Sequence, residues 1–238
     1  MPVPSFHITC TRKLLLARDT YEFAFEKPEG FSFQPGQFVL FDVPLPDNAQ
    51  DIQPRAYSIA SAPQEQELMF AVKLISGGRA SRWFEQTVSP GTVVRMQGPL
   101  GTFTLNTASR KDMLFIGTGS GVAPFRSQIL HLLHRGTKRI IDLVFGVRSE
   151  QDLFWRETFQ ELANTHPNFH MHVALDEASE LWEGHRGRVQ SLAPIAVPDI
   201  AHRQVFICGN PDMTKEVKRL CLEEWKVDKA HLHVEGYV

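Results

Sequence analysis

Four short segments of this sequence carry residues that could hold phosphate or redox chemistry. Gly117-Thr118-Gly119-Ser120-Gly121 follows an apolar run and precedes a helical pattern, so its backbone N–H groups could approach a pyrophosphate closely. It departs from the GxGxxG fingerprint, whose third glycine would fall at Val122, and an ordinary tight strand-to-helix turn would read the same way. Cys208-Gly209-Asn210-Pro211 closes another apolar run and opens another helix, although a buried cysteine before a turn would also account for it. Arg55-Ala56-Tyr57-Ser58 reads as strand, with Arg55 and Tyr57 on one face. An arginine can grip phosphate in bidentate fashion and a tyrosine ring can lie against a planar ligand; alone, the pair is a solvated charge beside a half-buried aromatic. Gly78-Arg79-Ala80-Ser81 opens a helix, as a second anion site or simply as an N-cap.

The elements around these segments change rhythm along the chain. Up to about Asn106, strands are expected over 6–16, 21–25, 37–42, 55–60, 68–73, 93–97 and 103–105. Turn residues punctuate them at 28–30, 35–36, 44–48, 89–91 and 98–101, and a helix over 80–87 is entered through Gly77-Gly78. This half predicts a six-stranded antiparallel barrel. From Lys111, strands over 113–116, 140–145, 169–174, 205–208 and 231–235 alternate with helices over 124–134, 152–164 and 211–225. That alternation predicts a five-stranded, doubly wound parallel sheet, whose ligands sit beyond the carboxyl ends of the strands. The polar link Thr107-Ala108-Ser109-Arg110 separates the two, giving domains 1–108 and 109–238.

Composition removes several function classes. At 238 residues, with 42% hydrophobic and 22% charged residues, the chain suits two globular domains rather than disorder. A formal net charge of −2 lacks the basic excess of a nucleic-acid binder. No apolar run approaches a membrane span, and Met1–Phe6 has no charged region followed by an apolar run, so a cytoplasmic protein with no membrane partner is expected. Cys10, Cys208 and Cys221 lie far apart without a CxxC pair, so neither a zinc ribbon nor an iron–sulfur cluster, nor a disulfide in a reducing compartment, is expected. His131/His134 and His170/His172 could each share a face, but a third ligand is missing and no metal is expected.

Taken in order, the segments resemble the ferredoxin–NADP reductase superfamily over nearly the whole chain. The matching residues are Pro35–Phe38, Arg55–Ser58, Gly78–Ser81, Gly98–Phe103, Gly117–Pro124, Phe145–Arg148, Cys208–Met213 and Glu235–Tyr237. The resemblance implies a flavin barrel followed by a nicotinamide domain, with the active site in the cleft between them. It assigns the flavin phosphates to Arg55 in the segment Arg55-Ala56-Tyr57-Ser58, the isoalloxazine and ribityl chain to Tyr57, and the neighbourhood of flavin N5 to Ser58. It gives the pyrophosphate to Gly78, Arg79, Ala80 and Ser81, which favours FAD over FMN. Strand alternation puts Ser58 opposite Arg55 and Tyr57, so either the flavin wraps over the strand end or the strand is distorted. Gly117, Thr118, Gly119, Ser120 and Gly121 are expected to hold the dinucleotide pyrophosphate. Cys208 (with Gly209 and Asn210) and Glu235 border the nicotinamide ring, and Arg148 and Asp176 are candidates at the adenosine end. Tyr237 resembles the C-terminal aromatic that covers the flavin and yields to nicotinamide, with Val238 following where plant members end.

The implied activity is hydride transfer between NADH or NADPH and FAD, with electrons passed to a separate ferredoxin or flavodoxin, since the chain has no cluster motif of its own. An NAD(P)H:flavin reductase is disfavoured by Gly78–Ser81 and Tyr237, and a non-catalytic regulatory subunit by the presence of both flavin and nicotinamide motifs. Residues 1–108 carry nine Lys/Arg and ten Asp/Glu, no global bias toward an acidic ferredoxin. NADPH-specific members resemble one another in a Ser-Arg pair after the third strand of the nucleotide domain. Here Val173-Ala174-Leu175-Asp176-Glu177 implies NADH, unless Arg148 or Arg186 folds over to bind a 2′-phosphate.

Overall fold

The computed structural model describes residues 3–45, 48–106 and 108–237. Met1, Pro2, Pro46 and Asp47 in the expected 44–48 turn, Thr107 in the expected link, and Val238 lie outside the described residues. The chain forms two compact units, Met1–Leu105 with Arg126–His131, and Asn106–Phe125 with Leu132–Val238.

In the first unit, β1 (Ser5–Ala17), β2 (Thr20–Glu26), β3 (Phe38–Leu45), β4 (Asn48–Ser58), β5 (Glu67–Lys73) and β6 (Val93–Leu100) pair antiparallel in the order β4-β3-β6-β1-β2-β5. Just past β4, Ala60 N–H donates to Met69 O of β5 (2.7 Å) and Met69 N–H to Ser61 Oγ (3.1 Å), so the two edge strands meet and the sheet curls into a barrel. Alternation fills its interior: Val39, Phe41 and Val43 of β3 point inward with Phe23, Phe25 and Phe70, all fully buried. Phe41 lies 5.1 Å from Phe70 and 5.6 Å from Phe84, ring to ring. Burying each such ring contributes about 1.5–3 kcal/mol. β4 starts seven residues before the expected strand, because the exposed Asn48, Gln50, Ile52 and Gln53 give no inside–outside signal, while β3 supplies the ladder partners from Leu45 onward. Residues 103–105 form no strand; Phe103 O instead accepts from Gln128 Nε2 at 2.8 Å.

One helix, α1 (Arg79–Gln86), is seated on this barrel by buried Trp83 and Phe84. Its carboxyl end is closed by Lys13 of β1, whose ammonium donates to the carbonyls of Phe84 (2.9 Å), Glu85 (2.7 Å) and Val88 (3.2 Å). A cation there complements the helix dipole and occupies carbonyls that the helix leaves unpaired.

The second unit is a parallel sheet in the order β10-β9-β8-β7-β11-β12. Its elements are β7 (Met113–Thr118), α2 (Ala123–His134), β8 (Ile141–Val147), α3 (Arg156–Thr165), β9 (Phe169–Leu175), β10 (His185–Arg186), α4 (Val189–Ala196), β11 (Gln204–Gly209), α5 (Pro211–Glu223) and β12 (Leu232–Gly236). The chain runs outward from β7 and then returns to place β11 beside β7, which makes that junction the switch point where doubly wound sheets bind ligands. All five expected strands are present. A sixth, β10, is added at the edge, and at two residues it is too short to produce a periodic pattern. The helix α4 is also additional; Pro194 inside it breaks the helical signal.

His170 and His172 of β9 both point at the buried carboxylate of Asp142 on β8, at 3.2 and 2.9 Å, and Arg203 holds its other oxygen at 3.1 Å. Among the described residues no three His, Cys, Asp or Glu converge on a metal position, and no helix is long and apolar enough to cross a membrane.

Replacing Lys13 by Met should lower stability by about 1–2 kcal/mol, because it removes the ammonium from the end of α1. Thermal denaturation followed by circular dichroism checks this; an unchanged midpoint would reduce Lys13 to a solvated side chain.

Candidate functional site

In the first unit the candidate residues lie at the end of β4 and the start of α1. The ladder places Arg55 opposite Phe41, Ala56 opposite Leu40, Tyr57 opposite Val39 and Ser58 opposite Phe38, with no register shift from Ser58 back to Ile52. The strand is therefore regular through this motif and ends at Ser58, so no distortion brings Ser58 to the face of Tyr57. Arg55 is exposed, donating to Pro54 O (3.0 Å) and Gln53 Oε1 (2.6 Å), and Ala56 is exposed beside it. Tyr57 packs edge-on against Phe84 (5.0 Å, 76°), and burial pushes its phenol up to about 12, so the hydroxyl stays protonated at neutral pH. Ser58 is buried.

The start of α1 is shaped for an anion. Gly77, with φ of +74°, turns the chain into the N-cap Gly78. The N–H groups of Arg79, Ala80 and Ser81 occupy the first turn, where a helix supplies no acceptor of its own. Ser81 Oγ accepts from Ile75 N–H (2.8 Å), which fixes the turn and leaves the hydroxyl proton free to donate. The Arg79 guanidinium reaches back to β4, donating to the Asp51 carbonyl and to Asp51 Oδ1 (3.2 Å). Its Nε is buried without a partner. An unmet buried donor of this kind costs about 1–3 kcal/mol, which a bound phosphate oxygen would offset. The cradle therefore fits a pyrophosphate, although Arg79's terminal nitrogens are already committed to Asp51.

The second unit presents its candidates at the carboxyl edge of β7, β11 and β12. The glycine-rich turn enters α2 through a 3₁₀ turn, Gly119–Val122, with Gly119 at φ +53° and Ser120 O accepting from Ala123 N–H. Gly117 and Gly121 are required by packing. A Cβ on Gly117 would lie 2.9 Å from the Phe125 ring, and one on Gly121 would lie 2.4 Å from Gly209 Cα and 2.5 Å from Cys208 O. Thr118 ties the same two turns, its Oγ1 accepting from Asn210 N–H at 3.2 Å. The Asn210 side chain is spent locally, since Oδ1 accepts from Asp212 N–H (2.9 Å) and Met213 N–H (3.3 Å) as the N-cap of α5.

Cys208 sits between Gly117 on β7 and Glu235 on β12 and is fully buried. Burial first, and then the Glu235 charge, push its thiol well above the usual range, while a hydrogen bond from the Tyr237 hydroxyl opposes them. The net direction keeps the thiol neutral at physiological pH, which makes Cys208 a polarisable wall rather than a nucleophile. Tyr237 also donates its N–H to Gly209 O (2.9 Å), so the tail lies over Cys208.

At the far strands, Asp176 faces Arg188 (3.3 Å) and Glu177 faces Arg148 (2.9 Å). Arg186 is tied to the carbonyls of Ala178, Ser179, Glu180 and Trp182 at 2.6–3.1 Å and so props up its own loop. Arg188 carries no sequence signal of its own, because it follows β10 and precedes α4, the two elements that periodicity does not show.

Residues 7–105 match the oxidoreductase FAD-binding domain family and residues 115–219 the oxidoreductase NAD-binding domain family. The chain is 35% identical over 225 residues to ferredoxin–NADP reductase B of Sorangium cellulosum, with 91% of each chain covered. It is 31% identical over 210 residues to the ferredoxin–NAD(P)⁺ reductase component of the naphthalene 1,2-dioxygenase system of Pseudomonas putida, spanning 87% of this chain but 61% of that one. Among solved structures, the Amycolatopsis cytochrome P450 reductase GcoB superposes with a TM-score of 0.86 at 27% identity, over 99% of this chain and 71% of that one. A flavin-domain match over the barrel, a nicotinamide-domain match over the parallel sheet, and a relative alike along nine tenths of both chains place this protein in the ferredoxin–NADP reductase family of FAD- and NAD(P)-binding oxidoreductases.

Proposed function

We propose that this chain is an NAD(P)H-dependent flavoprotein reductase that passes electrons from FAD to a separate ferredoxin- or flavodoxin-like acceptor. Residues 1–108 form its flavin domain and 109–238 its nicotinamide domain. The observation that carries this reading is the neutral, fully buried Cys208 beside Glu235 at the glycine-packed edge of the sheet. Such an edge offers close backbone approach and a water-poor wall, with no nucleophile to divert the reaction.

Arg55, the first-turn N–H groups of α1 and Arg79 Nε hold the FAD phosphates, and the protonated Tyr57 gives its ring and a hydroxyl donor. Ser58 borders the flavin; Cys208 and Glu235 border the nicotinamide ring; Gly117–Gly121 cradle the dinucleotide pyrophosphate. Bound FAD accepts two electrons as hydride and releases them one at a time. Tyr237, lying on Cys208, has to move aside for a nicotinamide ring to reach that wall, so the tail guards the edge from solvent between turnovers. Three free, buried cysteines, Cys10, Cys208 and Cys221, suit a reducing cytoplasm.

The functional test is steady-state turnover with NADH or NADPH against ferredoxin, flavodoxin, cytochrome c and free flavin, on protein passed through gel filtration. Retained yellow colour with a protein acceptor preferred supports the proposal. Loss of the flavin with free flavin as the best acceptor would instead make the chain a flavin reductase.

Arg55→Ala should weaken FAD binding by about ten- to a hundredfold, the value of one charge-assisted hydrogen bond, and Tyr57→Ala should do so too through lost ring contact. Wild-type flavin content in both purified variants would contradict these placements. Cys208→Ala and Glu235→Ala should keep their flavin yet slow its reduction by dinucleotide roughly 10- to 100-fold, as loosened positioning does. Unchanged stopped-flow rates would move the nicotinamide site elsewhere.

A further inference from the structure

The segment that follows Ser58 is held by side chains as well as by strand pairing. The β3–β4 ladder ends at the pair Phe38↔Ser58, and beyond it Ile59 N–H donates to Gln37 O at 3.0 Å. Ile59, Ala60, Ser61 and Ala62 are buried, and buried carbonyls need donors. Two of those donors come from one turn of α2, whose residues Arg126–His131 belong to the first unit. Arg126 Nη1 donates to Ala60 O at 3.0 Å, and the Ser127 hydroxyl donates to Ser61 O at 2.7 Å, both bonds being buried. Arg126 also grips Glu65 in bidentate fashion, with Nη1 to Oε2 at 2.9 Å and Nη2 to Oε1 at 3.0 Å. Glu65 Oε2 in turn accepts from Ala62 N–H at 2.6 Å. Residues 60–62, just past Ser58, are therefore fixed by charge-assisted and neutral hydrogen bonds together.

We infer that Arg126 and Ser127 are positioning residues for flavin reduction, acting through the backbone of Ile59–Ser61 to hold the Ser58 hydroxyl against the flavin. Neither side chain has to touch flavin or dinucleotide. A strand partner would hold this segment in extended form, whereas the chain bends at Ser61, and the two side-chain donors secure the bent path. From the barrel side, Ala60 N–H donates to Met69 O and Ser61 Oγ accepts from Met69 N–H. Ala60 and Ser61 are thus pinned between β5 and α2, which leaves Ser58 little freedom to drift. Misplacing a reacting group by about 1 Å can cost about a hundredfold in rate, so a bond two or three residues away bears on the chemistry. Helix α2 has anchors of its own in the buried Phe125, Ile129, Leu132 and Leu133, so losing one hydroxyl leaves it seated.

This role rests on the proposal that Ser58 borders the flavin, and a double-variant cycle on the FAD-loaded protein separates the two. Ser127→Ala should keep its flavin and slow flavin reduction by dinucleotide about tenfold in stopped flow, without changing the dinucleotide concentration that gives half the limiting rate. Ser58→Ala should slow it at least as much. The two together should be slower than Ser58→Ala alone by no more than about twofold, because groups that act through one another do not add. Arg126→Lys keeps the charge but loses the fork that serves Glu65 and Ala60 at once, and its effect should likewise vanish in the Ser58→Ala background. The flavin midpoint potential should move in the same direction in Ser127→Ala and in Ser58→Ala. Flavin loss or an unchanged rate in Ser127→Ala, or a slowing that multiplies with that of Ser58→Ala, would make Arg126 and Ser127 scaffold only and overturn the positioning role. An unchanged rate in Ser58→Ala would overturn the placement of Ser58 at the flavin, and the positioning role with it.

Discussion

The second unit is organised by an approach of two backbones that leaves no room for a single carbon atom. Gly121 lies so near Cys208 and Gly209 that a Cβ would fall 2.4 Å from Gly209 Cα. Gly209 in turn, at φ +135°, would drive a Cβ to 2.5 Å from Thr118 Oγ1. These mutual exclusions bring the turn after β7 and the turn after β11 together at the switch point of the sheet. The Gly117–Gly121 turn, proposed as the pyrophosphate cradle, and Cys208 consequently share one tightly packed edge. Rigidity there matters because positioning, rather than acid–base work by the chain, is what a hydride-transferring protein supplies.

The barrel uses different means for a similar end. Its candidate ligand residues are held from behind by aromatic packing, with Tyr57 on Phe84, Phe84 on Phe41, and Phe41 on Phe70. The same Phe84 seats α1, whose amino end is left open while Lys13 closes its carboxyl end. Strand β4 and helix α1 are tied directly by Arg79 and Asp51. Helix α1, proposed to bind phosphate, is thus set relative to Arg55 and Tyr57 by the core, with its first-turn N–H groups and one buried guanidinium nitrogen left open for an acceptor.

Much of this was legible in the sequence because glycine, proline and alternation leave local traces. The Gly117–Gly121 turn, the Arg55–Ser58 strand and the change of rhythm near residue 107 could all be read directly. What stayed hidden lacks a local signature. The two residues of β10 are too few to show a period, Pro194 disguises α4, and the exposed Asn48, Gln50, Ile52 and Gln53 of β4 show no alternation. Arg188 lies between two elements that leave no periodic trace, and the Asn210 side chain caps α5. The commitment of Arg79 to Asp51 spans 28 residues, a separation over which no local pattern reports.

Members of this family bind FAD and are reduced by a nicotinamide dinucleotide, and the proposal assigns the dinucleotide to the glycine-packed edge of the parallel sheet. An anaerobic titration of the purified yellow protein with NADH tests this most directly. The flavin's visible absorption band should bleach with about one equivalent of dinucleotide per bound flavin and return when an electron acceptor is added, since hydride transfer is a two-electron step. A flavin band that persists under excess NADH and excess NADPH would contradict it.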